Sequence, residues 1–177
     1  MPLRILLEGR PGIGKTTVAT RLADLLRERG VDVRGFVTRE LRDRGRRVGF
    51  AIETFDGRQA TLAHVDLGGP PRVGKYGVDL EAFERVALPA LEEPPERGVV
   101  LLDELGKMEL ASERFRDTAL RLFDAPVNVI ATTHVSRYSL TDSLRRRRDV
   151  EHVQVTHASR SGLAEQLAER VAQSGGA

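Results

Sequence analysis

The chain has no cysteine, which excludes a disulfide framework and any thiolate metal site. Lysine is almost missing as well: Lys15, Lys75 and Lys107 stand against 25 arginines. Charge of one sign is also lacking. The 28 basic and 26 acidic residues leave a formal net charge of +2, too small an excess to argue for a nucleic-acid partner. There is no long apolar run; the stretch Ile5 to Leu7 is far too short for a signal segment or a membrane span. The default expectation is a soluble cytoplasmic protein with no membrane partner. The four histidines, His64, His134, His152 and His157, lack metal-ligand spacing. There is no internal repeat and no Pro/Gly/Ser linker. The 177 residues therefore read as one domain, large enough to bury a core, and compatible with a monomer. Residues 174 to 177 are expected to fray.

The few lysines mark what is there. Each follows a glycine: Gly14, Gly74 and Gly106. Lysine is a compact point charge and arginine a planar fork, so a chain that otherwise uses arginine keeps lysine where a fork does not fit. All three segments are candidates for chemistry.

The hydrophobic pattern alternates strand and helix. Leu3–Glu8, Val33–Thr38, Val99–Leu102, Val127–Thr132 and Glu151–Thr156 read as strands. Lys15–Arg29, Leu80–Leu91, Ser112–Phe123 and Arg160–Ala172 read as helices. The aliphatic run Val99–Leu102 fits a strand covered on both faces. Asp79 is placed to cap the second helix, with Val78 and Phe83 as a hydrophobic staple. From about Leu41 to Val73 the alternation fails, and turn signals appear at Asp43-Arg44-Gly45-Arg46 and Asp56-Gly57. This predicts an antiparallel meander attached to a mostly parallel α/β sheet with helices on both faces.

The sharpest motif is Gly9-Arg10-Pro11-Gly12-Ile13-Gly14-Lys15-Thr16. It fits G-x-x-x-x-G-K-[ST] between a strand and a helix, the context a phosphate-binding loop requires. Glycines let backbone N–H groups curl around phosphates, and the helix N-terminus adds partial positive charge. Lys15 would reach the β- and γ-phosphates, Thr16 would ligate Mg²⁺, and Thr17 would contact the α-phosphate. The second motif is Leu102-Asp103-Glu104 at the end of the aliphatic strand. Asp103 is placed to hold Mg²⁺ through water and Glu104 to activate a water. Their distance from Lys15 in the chain allows another strand between the two.

Weaker candidates surround these. Lys107 and Glu109 lie within a few residues of Glu104. Thr132 and Thr133 end a strand that would sit beside the phosphates, and His134 follows, although a lone histidine is more often structural. Arg137 is a possible phosphate contact, and the run Arg145 to Arg148 reads either as a mobile basic lid or as an exposed helix end. Lys75 and Tyr76 sit in a glycine-bracketed loop, where Tyr76 could stack on a base or simply turn the chain.

Together, Gly9–Thr17, Gly35–Glu40, Arg47–Phe50, Val73–Val78 and Asp103–Leu110 make the chain resemble the P-loop nucleoside-triphosphatase family of hyperthermophiles, which has a human cancer-related member. The resemblance implies a RecA-like sheet and Mg²⁺-dependent hydrolysis of nucleoside triphosphates with loose base preference. It implies catalytic roles for Lys15 and Glu104. It also implies nucleotide contacts from Gly9 to Thr17 and from Leu102, Asp103, Glu104, Leu105, Gly106, Lys107, Met108 and Glu109. One departure is visible: where the family often has Asn-Arg-Asp, this chain has Ser159-Arg160-Ser161, so Arg160 alone carries over as a base-side candidate. Two other readings stay open, a nucleotide or small-molecule kinase and a regulatory nucleotide-binding module.

Overall fold

The computed structural model describes residues 1–174. Strand β1 (Arg4–Glu8) runs through the glycine-rich loop into helix α1 (Lys15–Glu28). Strands β2 (Asp32–Asp43), β3 (Arg46–Thr54), β4 (Gln59–His64), β5 (Arg72–Val73) and β6 (Tyr76–Val78) follow. Helices α2 (Leu80–Ala87) and α3 (Pro89–Glu92) lead to β7 (Gly98–Leu102). A short 3-10 turn (Glu109–Ala111) opens α4 (Glu113–Asp124). The chain ends with β8 (Asn128–Thr133), α5 (Ser139–Arg145), β9 (Glu151–Gln154) and α6 (Arg160–Ser174). No described helix is long and apolar enough to cross a membrane.

The strands form one sheet in the order β5-β6-β4-β3-β2-β7-β8-β1-β9. From β2 to β9 every neighbour is parallel, whereas β2 to β5 on the other side pair antiparallel. Strand β8 lies between β1 and β7, the intervening strand that the sequence spacing permits. Alternation along β7 divides two cores. Val100 and Leu102 face Phe36, Phe83 and Phe115, whose rings meet at 5.2–5.7 Å. Val99 and Leu101 face Leu22 and Leu26 of α1 and Leu167 of α6. Helices on both faces leave the C-terminal ends of the parallel strands as the place where loops converge.

Local chemistry explains the boundaries. Asp79 caps α2 through the Ala82 amide at 2.9 Å, and Val78 and Phe83 are both buried in one core. Ser112 is the cap of α4 rather than its first helical residue, accepting from the Phe115 amide at 3.0 Å. The turn at Arg44-Gly45 has positive φ at both residues (46° and 78°), as a two-residue hairpin needs.

Three further expectations are corrected. Strand β2 does not stop at Thr38: its parallel partner β7 ends at Leu102, opposite Phe36, and residues up to Asp43 continue on β3 alone. The meander is therefore an extension of a core strand. The helix expected over Leu80–Leu91 divides at Leu88, because Pro89 has no N–H and its ring crowds the preceding turn. Strand β9 ends at Gln154, since the Thr156 and Ser159 side chains bond each other's backbone amides in a tight turn. Ser174 closes α6, its hydroxyl donating to the Val171 carbonyl at 2.8 Å. The rest of the segment expected to fray, 175–177, lies outside the described residues.

Gly35 is required where β2 meets β7. Its φ is +102°, and a Cβ there would stand 2.0 Å from the Leu101 carbonyl oxygen. Neither backbone can retreat inside the sheet. Gly35→Ala is expected to cost about 3 kcal/mol or more of unfolding free energy in urea titration, whereas Gly68→Ala, with open space around it and no positive φ, should cost much less.

Candidate active site

The glycine-rich loop curls from the end of β1 to the first turn of α1, with positive φ at Gly12 (76°) and Gly14 (109°). Helix α1 has neither a side-chain cap nor an acidic residue in its first turn. Helices α2 and α4 have both. The first amides of α1 thus lack the capping oxygen supplied elsewhere, which leaves room for an anion. The Lys15 ammonium folds back over the loop and donates to the carbonyls of Gly9 (2.9 Å) and Arg10 (3.1 Å). Burial lowers its pKa, opposed by the charges of Glu104 and Asp103.

Asp103 is the centre of the site. It is 1% exposed, and three elements solvate its carboxylate. Thr16 of α1 donates to Oδ2 at 2.7 Å, Thr132 of β8 to Oδ1 at 2.6 Å, and the Thr38 amide of β2 to Oδ2 at 3.2 Å. Burial raises the Asp103 pKa, and these bonds pull it back. Thr16 Oγ1 and Asp103 Oδ2 are hard oxygen donors suited to a divalent cation. Among the described residues, no group of three or more His, Asp or Glu is disposed to hold a metal by itself. A cation here would take its other ligands from phosphate and water.

Glu104 extends past Asp103, and its Oε1 lies 2.8 Å from Nε2 of His134, just beyond β8. Glu109 is 3% exposed. Its pKa is pushed up to about 8, first by burial and then by the negative charge of Glu104. The hydrogen bonds agree. The Thr38 hydroxyl has one proton, and the Asp103 carbonyl 2.6 Å away can only accept. The 3.3 Å contact between Thr38 Oγ1 and Glu109 is then a bond in which protonated Glu109 donates. Gly106 makes room for this pair: a Cβ there would lie 2.8 Å from both the Glu104 and Glu109 carboxyl oxygens.

Two openings flank the loop. A cleft of about 810 Å³ is lined by Lys15, Thr16, Thr38, Glu104 and His134 and reaches out to Arg39, Arg47, Phe50 and Tyr76 on the meander. A smaller groove of about 300 Å³ is lined by Thr17, Arg21, Arg160, Ser161 and Gly162. Of the sequence candidates, Gly12, Gly14, Thr16, Thr17, Asp103, Glu104, Thr132 and Met108 gather at or around these openings. Arg160 does so on the groove side, donating to the Ile13 carbonyl at 3.3 Å.

Others are not brought there. Leu102 and Leu105 are fully buried core residues. Lys107 is exposed, and Arg137 pairs with Asp142 on the surface. Thr133 donates to the Leu105 carbonyl at 3.2 Å. Lys75 is exposed with its ammonium 5.4 Å from the Tyr76 ring centre. Tyr76, by contrast, does line the outer wall of the larger cleft, but it is 8% exposed, packs edge-on against Phe50, and accepts from Arg47 Nε at 3.2 Å. That leaves little of its ring for stacking on a base. Arg145 is half-buried and pairs with Glu8 and Asp142. Thr38 was not among the sequence candidates. Its only signal was its place in the Gly35–Glu40 stretch.

A glycine-rich loop at the end of one parallel strand, with Asp-Glu at the end of another two positions away, defines a P-loop NTPase. A family model described as NTPase matches residues 4–168, and the chain belongs to that family. It is 45% identical over 172 residues to the nucleoside-triphosphatase THEP1 of Thermofilum pendens, covering 94% of each chain. It is 38% identical over 177 residues to the human cancer-related nucleoside-triphosphatase, covering 92% of this chain and 93% of that one. The crystal structure of THEP1 from Aquifex aeolicus superposes with a TM-score of 0.86 at 32% identity, covering 96% of this chain and 99% of that one.

A folded-state pKa near 8 against an ordinary 4.5 makes Glu109 a stabilising proton acceptor at low pH. That contribution is complete below about pH 4.5, falls as pH rises through 8, and is gone above. Glu109→Gln, which keeps the neutral shape, is expected to flatten this loss. Urea unfolding at pH 6 and pH 9 should show a smaller drop in stability for the variant than for the parent, by on the order of 1 kcal/mol or more.

Proposed function

We propose that the protein hydrolyses nucleoside triphosphates to the diphosphate and phosphate with Mg²⁺, accepting several bases. The observation that carries this is the Thr16–Asp103 bond of 2.7 Å. It ties the first turn of the phosphate-loop helix to the acid of β7, so that a cation and a phosphate chain share one corner. Thr16 and Asp103 would hold Mg²⁺, Asp103 through water. When bound, the cation supplies positive charge to the β- and γ-phosphate oxygens.

The protein's own groups do the rest. The amides of Gly12 to Thr17 and the uncapped start of α1 receive the phosphates. Lys15 exchanges the Gly9 and Arg10 carbonyls for phosphate oxygens, which restores the charge that burial disfavours. Glu104, beside this corner, accepts a proton from the attacking water. His134 Nε2 lies 2.8 Å from Glu104 Oε1. This fixes that oxygen and leaves the other for the water, making His134 a positioning residue. Protonated Glu109 adds no second charge beside Glu104. The groove at Arg160 and Arg21 lies on the Thr17 side of the loop, where the nucleoside end would leave.

Phosphate release is expected from ATP, GTP, CTP and UTP, abolished by EDTA and restored by Mg²⁺. Glu104→Gln is expected to reduce kcat by roughly 100-fold or more with nucleotide affinity preserved in a fluorescence-binding assay. Wild-type turnover in that variant would remove Glu104 from the mechanism.

A further inference from the structure

The run Arg145 to Arg148 divides in the structure. Arg146 and Arg148 face solvent, whereas Arg145 and Arg147 are half-buried. Arg147 pairs with Asp124 and Asp149 and donates to the Phe123 carbonyl at 2.9 Å, at the end of α4. Arg145 uses all three of its nitrogens elsewhere. Its Nε meets Glu8, and its Nη1 donates to Asp142 at 2.9 Å. Its Nη2 donates to the carbonyls of His134 at 3.1 Å and Ser136 at 3.4 Å. The side chain is 19% exposed and lines neither opening beside the phosphate loop. It bridges the base of that loop to the stretch that carries His134.

The two ends of this bridge are held differently. Glu8 is a strand residue, in register with Thr133 of β8 and Gln154 of β9. Its carbonyl accepts from the Val155 amide at 2.7 Å, and its second carboxylate oxygen from Gln154 at 2.9 Å. The stretch from His134 to Arg137, between β8 and α5, has no such support. Among the described residues, the carbonyls of His134 and Ser136 accept hydrogen bonds from Arg145 alone. Val135 and Arg137 project into solvent. Backbone outside helix and sheet takes its position from whichever groups bond its carbonyls and amides. From this stretch the His134 ring reaches Glu104, with Nε2 2.8 Å from Oε1. A displacement of about 1 Å would take that pair beyond hydrogen-bond distance.

We propose that Arg145 is a positioning residue for the hydrolytic step: it fixes the backbone of His134, and through the His134 ring it holds Glu104 against the attacking water. The inference rests on the hydrolysis reading above. The guanidinium suits this task because one planar fork bonds Glu8 and Asp142 on two nitrogens and two carbonyls on the third. A lysine at this position would keep a positive charge beside Glu8 but, as a single point charge, could not span the acids and the carbonyls together. Without the bridge, Glu8 and the loop that follows it stay in place, because β8 and β9 hold them on both sides. The stretch at His134 does not. Losing the bridge therefore misplaces the group that activates water and spares the groups that bind phosphate, so the loss falls on kcat rather than KM.

The test compares the whole protein with Arg145→Lys and Arg147→Lys, each checked for folding by circular dichroism and thermal melting. Phosphate release from ATP with Mg²⁺ is measured across ATP concentration. Arg145→Lys is expected to lower kcat by about tenfold or more with KM changed by less than about threefold, while Arg147→Lys keeps kcat within about twofold. In a His134→Ala background, Arg145→Lys is expected to lower kcat by less than about twofold further, since both changes remove one linkage. The same variants are compared by NMR of the histidine rings with a non-hydrolysable ATP analogue bound. The chain has four histidines, and His134→Ala identifies the His134 signal. Arg145→Lys is expected to move that signal, and Arg147→Lys to leave it in place. Glu8→Gln removes the charge at the other end of the bridge and is expected to act in the same direction, which keeps the test open if Arg145→Lys does not fold. Unchanged kcat or an unmoved His134 signal in the folded variants, a rise in KM alone, an equal loss of kcat in Arg147→Lys, or a full further loss in the His134→Ala background would overturn the proposal. If the parent releases no phosphate, the hydrolysis reading fails, and the His134 signal still decides whether Arg145 holds the histidine.

Discussion

A carboxylate removed from water must be solvated by the protein, and Asp103 sets that condition at the centre of the sheet. At 1% exposure it has no basic side chain among its hydrogen-bond partners. It relies instead on two hydroxyls and an amide from α1, β8 and β2. An unpaired buried charge costs several kcal/mol, so these donors cannot drift. Their positions require β8 to lie between β1 and β7, β2 to lie on the other side of β7, and α1 to begin level with the end of β7. The same condition explains why the phosphate loop and the acid of β7 meet although 87 residues separate them.

Around this centre the acids are arranged by environment. Asp103 is fully donor-bonded. Glu104 remains partly open and is touched by His134. Glu109 is enclosed and keeps its proton near neutral pH. Three acids within seven residues thereby avoid three adjacent negative charges, and Gly106 lets two of them approach. The framework beneath is held by ion pairs of the same kind. Glu8, at the end of β1, is paired with Arg145, whose guanidinium also bonds the His134 carbonyl at 3.1 Å. One arginine thus joins the start of the phosphate loop to the segment that carries the histidine.

The meander gives the site its second half. Because β2 outlasts β7 by seven residues at its C-terminal end, its free length can pair with β3 and rise beside the phosphate corner. The aromatic and ion-paired wall of the larger cleft stands on that extension. A single strand is therefore part of the parallel sheet, a ligand of Asp103 and a wall of the cleft.

The sequence by itself determined what is local. Gly9 to Thr16 could be read because the loop's function depends on eight consecutive backbone conformations and one side chain. The alternation of strands and helices, the Asp79 cap and the Arg44-Gly45 turn could be read because propensity and hydrogen bonding act within a few residues. Asp103 and Glu104 could be read because a buried aliphatic strand ends on them. Only the tertiary structure decided the rest. Thr38 looks like any strand threonine until β2 lies beside β7. His134 is a lone histidine until the end of β8 places it on Glu104. Arg145 reads as an exposed or mobile cation until Glu8 meets it. Tyr76 and Lys75 read alike until packing buries one and leaves the other in solvent. In each case the deciding partner is distant in the chain, and burial and charge pairing depend on who the neighbours are.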